Sequence, residues 1–163
     1  MKTEITGRVI KLGDNIDTDI IIPTQYMTLP SIKEMCQFAF SPLRPDLVKI
    51  VRPGDIMVAG KNFGCGSSRE QAPEILKELG FVAVVAKSFA RIFYRNAMNN
   101  GLLVVQSPQL CDTATEGKMI SIDLRKNRIP ENLLAMLEAG GLVNYYKQLN
   151  ARGKSGLDAG GNT

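Results

Sequence analysis

A glycine-rich stretch carries the side chains best suited to chemistry. Residues 60–70 read GKNFGCGSSRE and place two serines and an arginine before a helical pattern that extends from Glu70 to Leu79. Glycines at 64 and 66 permit positive φ and a close approach of the backbone to a ligand. The first amides of a helix have no partner within the helix, and the dipole adds positive charge there. With the Arg69 guanidinium, these groups predict a site for a carboxylate or phosphate.

The spacing of this motif excludes two familiar phosphate sites. No Gly-Lys-Ser/Thr closes the loop, so it is not a Walker motif, and Gly64-x-Gly66 lacks the third glycine of a dinucleotide fingerprint. A purely structural interpretation is also open, in which Ser67 or Ser68 caps the helix and Glu70 supports its first turn. The motif by itself does not decide between an anion site and a capped turn.

Composition narrows the chemistry further. The chain has 163 residues, 44% of them hydrophobic and 22% charged, which favours one globular domain with its own core. Its three cysteines, Cys36, Cys65 and Cys111, form no C-x-x-C motif, which argues against a disulfide framework and a self-contained metal or iron–sulfur site. The sequence contains no histidine, which excludes Ser-His-Asp and Cys-His catalysis and any histidine-ligated metal. We therefore expect this chain to bind no metal.

The charge distribution indicates which partners to expect. The net charge of +4 is scattered and forms no basic arm, so we expect no nucleic-acid partner. We also expect no membrane association, because no apolar run has the length of a membrane span and the N-terminal residues lack an apolar signal region. A cytoplasmic protein that meets acidic metabolites or an acidic partner surface fits this composition.

The elements that must position the motif follow an α/β order. Runs of apolar and β-branched residues predict strands at 3–12, 55–59, 81–86, 102–105 and 119–124. Helical spacing predicts helices at 32–40, 70–79, 89–99 and 131–148, the first capped by Ser31, the third by Ser88, and the last broken at Gly140-Gly141. Alternation of strands and helices from 55 to 105 predicts parallel pairing through right-handed crossovers. We expect one α/β domain over residues 1–150, with irregular segments at 24–30 and 41–53, and a disordered tail over 151–163.

Two further polar clusters have competing interpretations. Arg91 and Arg95 share a helix face, which we interpret as solvated, with an anion site or partner-docking surface as the alternative and RNA stacking disfavoured. Asp17 and Asp19 lie one residue apart in a loop, where carboxylates serve acid–base or metal chemistry but also stabilise tight turns. We favour a supporting role for these aspartates.

Three of these motifs together resemble a known family. NIDTDIIIP (15–23), KNFGCGSSRE (61–70) and SFARIFYRN (88–96) are similar to motifs of the small subunits of 3-isopropylmalate dehydratases, the swivel-domain part of the aconitase superfamily. The resemblance covers residues 5–147. It implies the swivelling β/β/α fold.

The resemblance also implies an activity and a partner. The reaction is a stereospecific dehydration and rehydration of a hydroxy diacid, as in the isomerisation of isopropylmalate in leucine biosynthesis. A separate large subunit carries a [4Fe–4S] cluster, whose iron acts as a Lewis acid, and this chain binds no cofactor of its own. A heterodimer or heterotetramer is implied. By the motif match, Ser67 is the base that removes the proton next to a carboxylate, and Ser68 and Arg69 bind substrate carboxylate.

The loop after the Asp-Thr-Asp motif is linked to substrate choice in this family. Here it contains Tyr26, Met27, Thr28 and Leu29, without the arginine that relatives acting on tricarboxylates use. A buried carboxylate without a partner is costly, so we expect these four residues to face an alkyl substituent. Isopropylmalate is the leading substrate, and 2,3-dimethylmalate, citramalate and homoaconitate are alternatives.

Two other residues in the serine motif raise separate questions. Gln71 stands where the family usually has histidine, and it cannot carry a proton, which keeps a specialised hydro-lyase open. Cys65 is a candidate for a supporting role in the site, and its oxidation would block the site. The favoured interpretation is that Cys65 is a small buried thiol that fills space. A stand-alone anion-binding module, which would bind its ligand without a partner, is a third hypothesis for the whole chain.

Overall fold

The computed structural model describes residues 4–127, 129, 131–139 and 147–151. Its strands are β1 (Glu4–Lys11), β2 (Ile56–Val58), β3 (Ala83–Ala86), β4 (Leu103–Gln106) and β5 (Met119–Asp123). Its helices are α1 (Thr18–Ile21), α2 (Ile32–Cys36), α3 (Leu47–Ile50), α4 (Gln71–Leu79), α5 (Arg91–Asn99), α6 (Pro108–Thr113) and α7 (Glu131–Glu138), with a 3₁₀ turn at Thr24–Tyr26.

The five strands form one sheet in the order β4-β3-β2-β1-β5. The first four strands are parallel, whereas β5 runs antiparallel to β1. In one row across the parallel strands, Ile10 pairs with Met57, Met57 with Val84, and Val84 with Val104. Because side chains alternate along a strand, this row points to one face of the sheet and its neighbouring rows to the other.

Each face of the sheet has its own hydrophobic core. The row from Ile10 to Val104 packs with helical residues that include Ile75, Leu76 and Phe93, all buried. The opposite face, with Val9, Ile56, Val58, Val85 and Val105, packs against residues of α6, β5 and α7. Coverage of both faces explains why the central strands are apolar throughout rather than alternating.

The predicted arrangement of the central elements is confirmed. β2, α4, β3, α5 and β4 follow one another as expected, and their strands pair in parallel. The single α/β domain is confirmed as well, and its extra strands from the two ends of the sequence, β1 and β5, pair with each other. Residues 147–151 are helical, whereas the predicted break at 140–141 and the predicted tail after residue 151 lie outside the described residues.

Several predicted boundaries and caps are wrong. The helix predicted over 32–40 ends at Cys36, although Ser31 caps it as expected by accepting a hydrogen bond from the Glu34 amide at 3.2 Å. The segment 41–53 contains α3, and the segment 24–30 begins with the 3₁₀ turn. Ser88 does not cap α5, which begins at Arg91 after Ala90, because its hydroxyl accepts a hydrogen bond from the Asn62 amide at 2.8 Å instead.

The parallel order has a consequence for where a site forms. The segments that follow β1, β2 and β3 all leave the sheet at the carboxyl ends of these strands, where α/β proteins usually bind ligands. These segments contain the three motifs singled out in the sequence. Over the part of the chain that the structure describes, no helix has both the length and the apolar character needed to cross a membrane.

Candidate active site

Backbone hydrogen bonds draw the three motifs together. The segment after β1 lies beside the glycine-rich loop, with the Gly64 amide donating to the Ile16 carbonyl at 2.7 Å and the Thr18 amide donating to Cys65 at 2.9 Å. On its other side the loop continues the pairing of β2 with β3, as the Ala90 amide donates to the Phe63 carbonyl at 2.9 Å. The glycine-rich loop is therefore held from both sides by main-chain contacts.

The glycines at 64 and 66 permit this packing. Gly64 has a φ of 81°, and a Cβ atom there would lie 2.2 Å from Cγ of Phe93. Gly66 has a φ of 94°, and a Cβ atom there would approach the Thr18 hydroxyl at 3.4 Å. Residues other than glycine rarely adopt such backbone angles, so the loop can turn tightly against α5 only with glycine at these positions.

Thr18 fixes the loop at the predicted catalytic serine. Its side chain is 1% exposed, and its hydroxyl donates a hydrogen bond to the main-chain carbonyl of Ser67 at 2.8 Å. The hydroxyl and the amide of Thr18 thus hold residues 65 and 67 at the same time. Thr18 was not among the residues singled out from the sequence, although its place between Asp17 and Asp19 in a polar triplet was the available signal.

The serine hydroxyls do not serve the structural purpose considered for them. The residue preceding α4 is Glu70, and no side chain caps this helix. Ser67 and Ser68 are both exposed, and within the described residues neither hydroxyl makes a hydrogen bond to the start of α4. The capped-turn interpretation is therefore wrong, and both hydroxyls are available to a ligand.

The main chain of the loop also has free donors. Among the hydrogen bonds of the described residues, none uses the amides of Gly66, Ser67, Ser68 or Arg69 as donors. Successive amides without internal partners form a concave site for anions, as they do in other glycine-rich turns. The arrangement can therefore bind a carboxylate through the backbone alone, with hydroxyls beside it.

A cavity of about 320 Å³ lies between this loop and the start of α5. One wall is formed by Ser67, Ser68 and Arg69, and the other by residues 90–93 and Asn96. No side chain caps the first turn of α5, so its amides add positive potential to the cavity. The structure thus brings the predicted catalytic and carboxylate-binding residues to one cavity together with Arg91.

Arg69 is held by the residues after Thr18. One terminal nitrogen of its guanidinium donates to the Ile22 carbonyl at 2.7 Å, and the other donates to the Thr24 hydroxyl at 2.9 Å and lies 2.5 Å from Asp19. The Arg69 side chain is 13% exposed. Its Nε makes no contact of this kind within the described residues, so an N–H remains for a ligand. The ion pair of Asp19 with Arg69 is compatible with the supporting role that we favoured, which stays a prediction.

Asp17 and Cys65 also lie beside the serine loop. Asp17 precedes α1 and caps it by accepting a hydrogen bond from the Ile20 amide at 2.9 Å, which agrees with a supporting role. Cys65 is half-buried. Burial raises the pKa of the Cys65 thiol, and the nearby Asp17 carboxylate raises that pKa further. A raised pKa leaves less thiolate at neutral pH and therefore slows oxidation and alkylation.

The loop predicted to select the substrate lies next to Arg69 but does not line the cavity. Tyr26, Met27 and Leu29 pack partly buried against the core, and the Tyr26 ring stacks on Phe38 with centroids 4.0 Å apart. Thr28 is exposed. The Thr24 hydroxyl connects the start of this loop to Arg69. Contact of residues 26–29 with substrate therefore stays a prediction, as does any effect of Gln71, the first residue of α4.

The described residues do not form a metal centre. Within residues 4–127, 129, 131–139 and 147–151, no group of three or more histidine, cysteine or carboxylate side chains could hold an ion. Cys36 and Cys111 are buried at separate places in the two cores. These donors do not fit an iron–sulfur cluster.

Comparisons with known proteins support one family. Residues 45–110 match the aconitase C-terminal domain. The chain is 51% identical over 161 residues to the 3-isopropylmalate dehydratase small subunit of Lachnospira eligens, covering 92% of this chain and 98% of the relative. It is 48% identical over 170 residues to the methanogen homoaconitase small subunit of Methanothermobacter thermautotrophicus, covering 96% and 98%.

A solved structure shows the same fold. The crystal structure of 3-isopropylmalate dehydratase from Methanocaldococcus jannaschii superposes with a TM-score of 0.84 at 40% identity, covering 93% of this chain and 98% of that one. The aconitase-type α/β fold expected from the motifs is therefore confirmed. With these matches over nearly its whole length, the chain belongs to the family of 3-isopropylmalate dehydratase small subunits.

Proposed function

We propose that this chain is the small subunit of a hydro-lyase that isomerises 3-isopropylmalate and 2-isopropylmalate in leucine biosynthesis. Its partner is a large subunit, with which it forms a heterodimer or heterotetramer in the cytoplasm. The large subunit would hold the [4Fe–4S] cluster, which would supply a Lewis acid for the substrate hydroxyl and carboxylate. The observation that carries the proposal is the cavity that joins Ser67, Ser68 and Arg69 to a set of unpaired amides.

The groups on this chain suit the binding of a dicarboxylate. One carboxylate accepts hydrogen bonds from the amides of residues 66–69 and from the Ser68 hydroxyl. The Nε–H of Arg69 adds a charged donor, since Asp19, Thr24 and Ile22 hold the rest of its guanidinium. Hydrogen bonds to charged groups are shorter and stronger than neutral ones, so this anchor fixes the substrate carbon beside Ser67.

Ser67 then acts as the base. As an alkoxide it accepts the proton from the carbon next to the bound carboxylate, the electrons of that C–H bond form the double bond, and the neighbouring carbon loses its hydroxide, which takes a proton from solvent and leaves as water. On rehydration water adds its hydroxide to the carbon that lost the proton and releases a proton to solvent, while the Ser67 hydroxyl gives its proton to the other carbon. An alkoxide is available only where its negative charge is stabilised, and each unit of pKa lowering corresponds to about 1.4 kcal/mol. The amides of the loop and of the start of α5, residues that line the same cavity, supply that stabilisation.

The first test replaces Ser67 with alanine in the complete enzyme. We expect S67A to lower kcat by roughly 10²–10⁴-fold, the usual contribution of a general base. Substrate affinity and assembly with the large subunit are expected to stay close to wild type, because the Ser67 hydroxyl makes no hydrogen bond within the described residues. Anaerobic assays with reconstituted large subunit measure both quantities.

Ser31→Ala provides the matched control. It also removes one hydroxyl, but from the cap of α2, away from the cavity lining. S31A should therefore cost about 1 kcal/mol of stability and leave kcat unchanged. If S67A kept wild-type turnover, Ser67 would not be the base.

Homoaconitate is the second candidate substrate, favoured by the 48% identity to a homoaconitase small subunit. Residues 24–30 contain no basic side chain that could meet a third carboxylate. We therefore expect the wild-type enzyme to prefer isopropylmalate in a panel with 2,3-dimethylmalate, citramalate and homoaconitate. Thr28→Arg, at the exposed position of the loop, should raise kcat/KM for homoaconitate, whereas Thr28→Gln should not.

Equal turnover of homoaconitate by wild type and T28R would contradict the loop hypothesis. Turnover mainly of dimethylmalate or citramalate would identify a specialised hydro-lyase and leave the role of Ser67 in place. Binding of a diacid by the isolated chain in calorimetry would favour the stand-alone binding module.

A further inference from the structure

The exposed face of α5 lies next to the catalytic cavity. This helix buries Phe93, Ala97 and Met98, whereas Arg91, Ile92 and Arg95 face outward. Ile92 is 53% exposed and is one of the large apolar side chains at the surface of the described residues. An exposed apolar residue between two arginines is typical of an interface, where such groups become desolvated.

Within the described residues, Arg91 and Arg95 have no ion-pair partner. By contrast, Arg8, Arg44 and Arg69 each contact a carboxylate in the same part of the chain. Uncompensated arginines on one helix face attract an acidic surface.

A groove of about 530 Å³ runs along this face, lined by Phe89, Arg91, Tyr94, Arg95 and Gln106. We call it the α5 groove. Arg91 borders both the α5 groove and the catalytic cavity, and Ile92 borders the cavity. A protein that covers the cavity must therefore also pass over the start of α5.

We propose that the α5 groove is a docking site for an acidic segment of the large subunit. The inference rests on the proposed function, because it takes the large subunit as the protein that completes the catalytic cavity. Carboxylates of that segment pair with Arg91 and Arg95, the rings of Phe89 and Tyr94 pack against its aliphatic parts, and Ile92 is buried at the junction with the cavity. The charges steer association, and the apolar contact at Ile92 slows dissociation.

The decisive variant is Arg95→Glu, since Arg95 lines the groove and not the catalytic cavity. Arg52→Glu is the matched control, an exposed arginine near the amino ends of the strands. We expect R95E to lower the rate of association with the cluster-loaded large subunit at least tenfold at low salt and to flatten its salt dependence. R52E should associate like wild type, and kcat of R95E at saturating large subunit should be retained.

A second pair of variants tests the apolar contact at Ile92, and only binding to the large subunit is measured. Ile92→Asp should speed dissociation of the complex at least tenfold, whereas Val82→Asp, which changes a 39% exposed residue just before β3, should not. All four positions are exposed or partly exposed, so the variants are expected to fold. Circular dichroism checks this.

The outcomes separate this inference from the proposed function. If R95E and I92D bind the large subunit as tightly and as fast as their controls, or if wild type does not bind it, the docking site is wrong. If wild type binds and R95E is impaired but no diacid is turned over, the docking site stands and the proposed reaction is wrong.

Discussion

At the scale of single residues, Thr18 shows how the glycine-rich loop acquires a defined shape. The residues it joins are far apart in sequence, since Thr18 and Ser67 are separated by 49 positions. A buried hydroxyl normally needs a hydrogen-bond partner, and the Ser67 carbonyl is that partner. The hydrogen bond between Thr18 and Ser67 therefore serves two purposes. It satisfies the buried Thr18 hydroxyl, and it holds the main chain that carries the proposed base.

Thr18→Val is expected to impair catalysis while the protein still folds. Valine has a similar shape but cannot donate to the Ser67 carbonyl, and loss of one such bond costs roughly 0.5–1.5 kcal/mol of stability. Because small displacements of a catalytic group are costly, we expect kcat to fall tenfold or more with little change in KM. Steady-state kinetics of the reconstituted enzyme measure this split.

Thr18→Ser supplies the control, since it keeps the hydroxyl. T18S should recover most of the kcat lost in T18V. Equal activity of T18V and wild type would mean that the loop holds its shape without this hydrogen bond.

The site residues differ in how visible they are in the sequence. Ser67, Ser68 and Arg69 could be singled out because the glycine-rich motif that contains them matches a motif of a known family, whereas the motif by itself also allowed a capped turn. The contacts of Arg69 with Asp19, Thr24 and Ile22 were not predictable, because they join segments at opposite ends of a long stretch of chain. The serines near α4 and α5 do not cap these helices for a related reason. A hydroxyl group can also bond to parts of the chain that are distant in sequence, as Ser88 does with the Asn62 amide.

At the scale of elements, long periodic segments were predictable and short ones were not. α4 and α5 each extend over nine residues, enough for an apolar face to show in the spacing. α1 and α3 each have four residues, less than the span over which helical periodicity appears. No helix was therefore predicted at the run Ile20-Ile21-Ile22, although Asp17 caps a turn of helix there.

The packing of the glycine-rich loop on α5 gives a prediction at this scale. Gly64→Ala places a methyl group against Phe93 at a φ that suits glycine, and overpacking of this kind costs roughly 1–3 kcal/mol. The loop should relax away from α5 and take Ser67 with it. We expect lower stability in urea unfolding and lower kcat.

Gly13→Ala is the comparison, since a Cβ atom there would meet nothing within 4 Å. Its stability and activity should be close to wild type. If G64A matched G13A in both measurements, the contact with Phe93 would not set the position of the loop.

At the scale of the whole molecule, hydrogen bonds to carboxylates make stability depend on pH. A hydrogen bond from Arg44 lowers the pKa of Glu116, one from Lys87 lowers the pKa of Asp112, and the backbone amide of Lys126 lowers the pKa of Asp123. A carboxylate whose pKa is lower in the folded than in the unfolded state stabilises the fold above the unfolded-state pKa. That contribution is lost as the pH falls through the folded-state pKa.

Stability is therefore expected to decrease as the pH is lowered below about 4.5, the usual pKa of glutamate. Urea unfolding at a series of pH values measures the slope. Glu116→Gln should lower stability at neutral pH and flatten the decrease in acid, because glutamine does not titrate. An unchanged acid slope in this variant would show that the bond from Arg44 does not contribute.

The contact between Thr18 and Ser67 leads us to expect that activity appears late in folding. β2, β3 and β4 follow one another closely in the chain, whereas the segment after β1 must return across 49 positions to hold Ser67. Contacts between distant parts of a chain form late because closing long loops is slow. A partly folded chain can thus have most of its helices and still lack a working serine loop, so on refolding the recovery of turnover lags behind the recovery of helical circular dichroism.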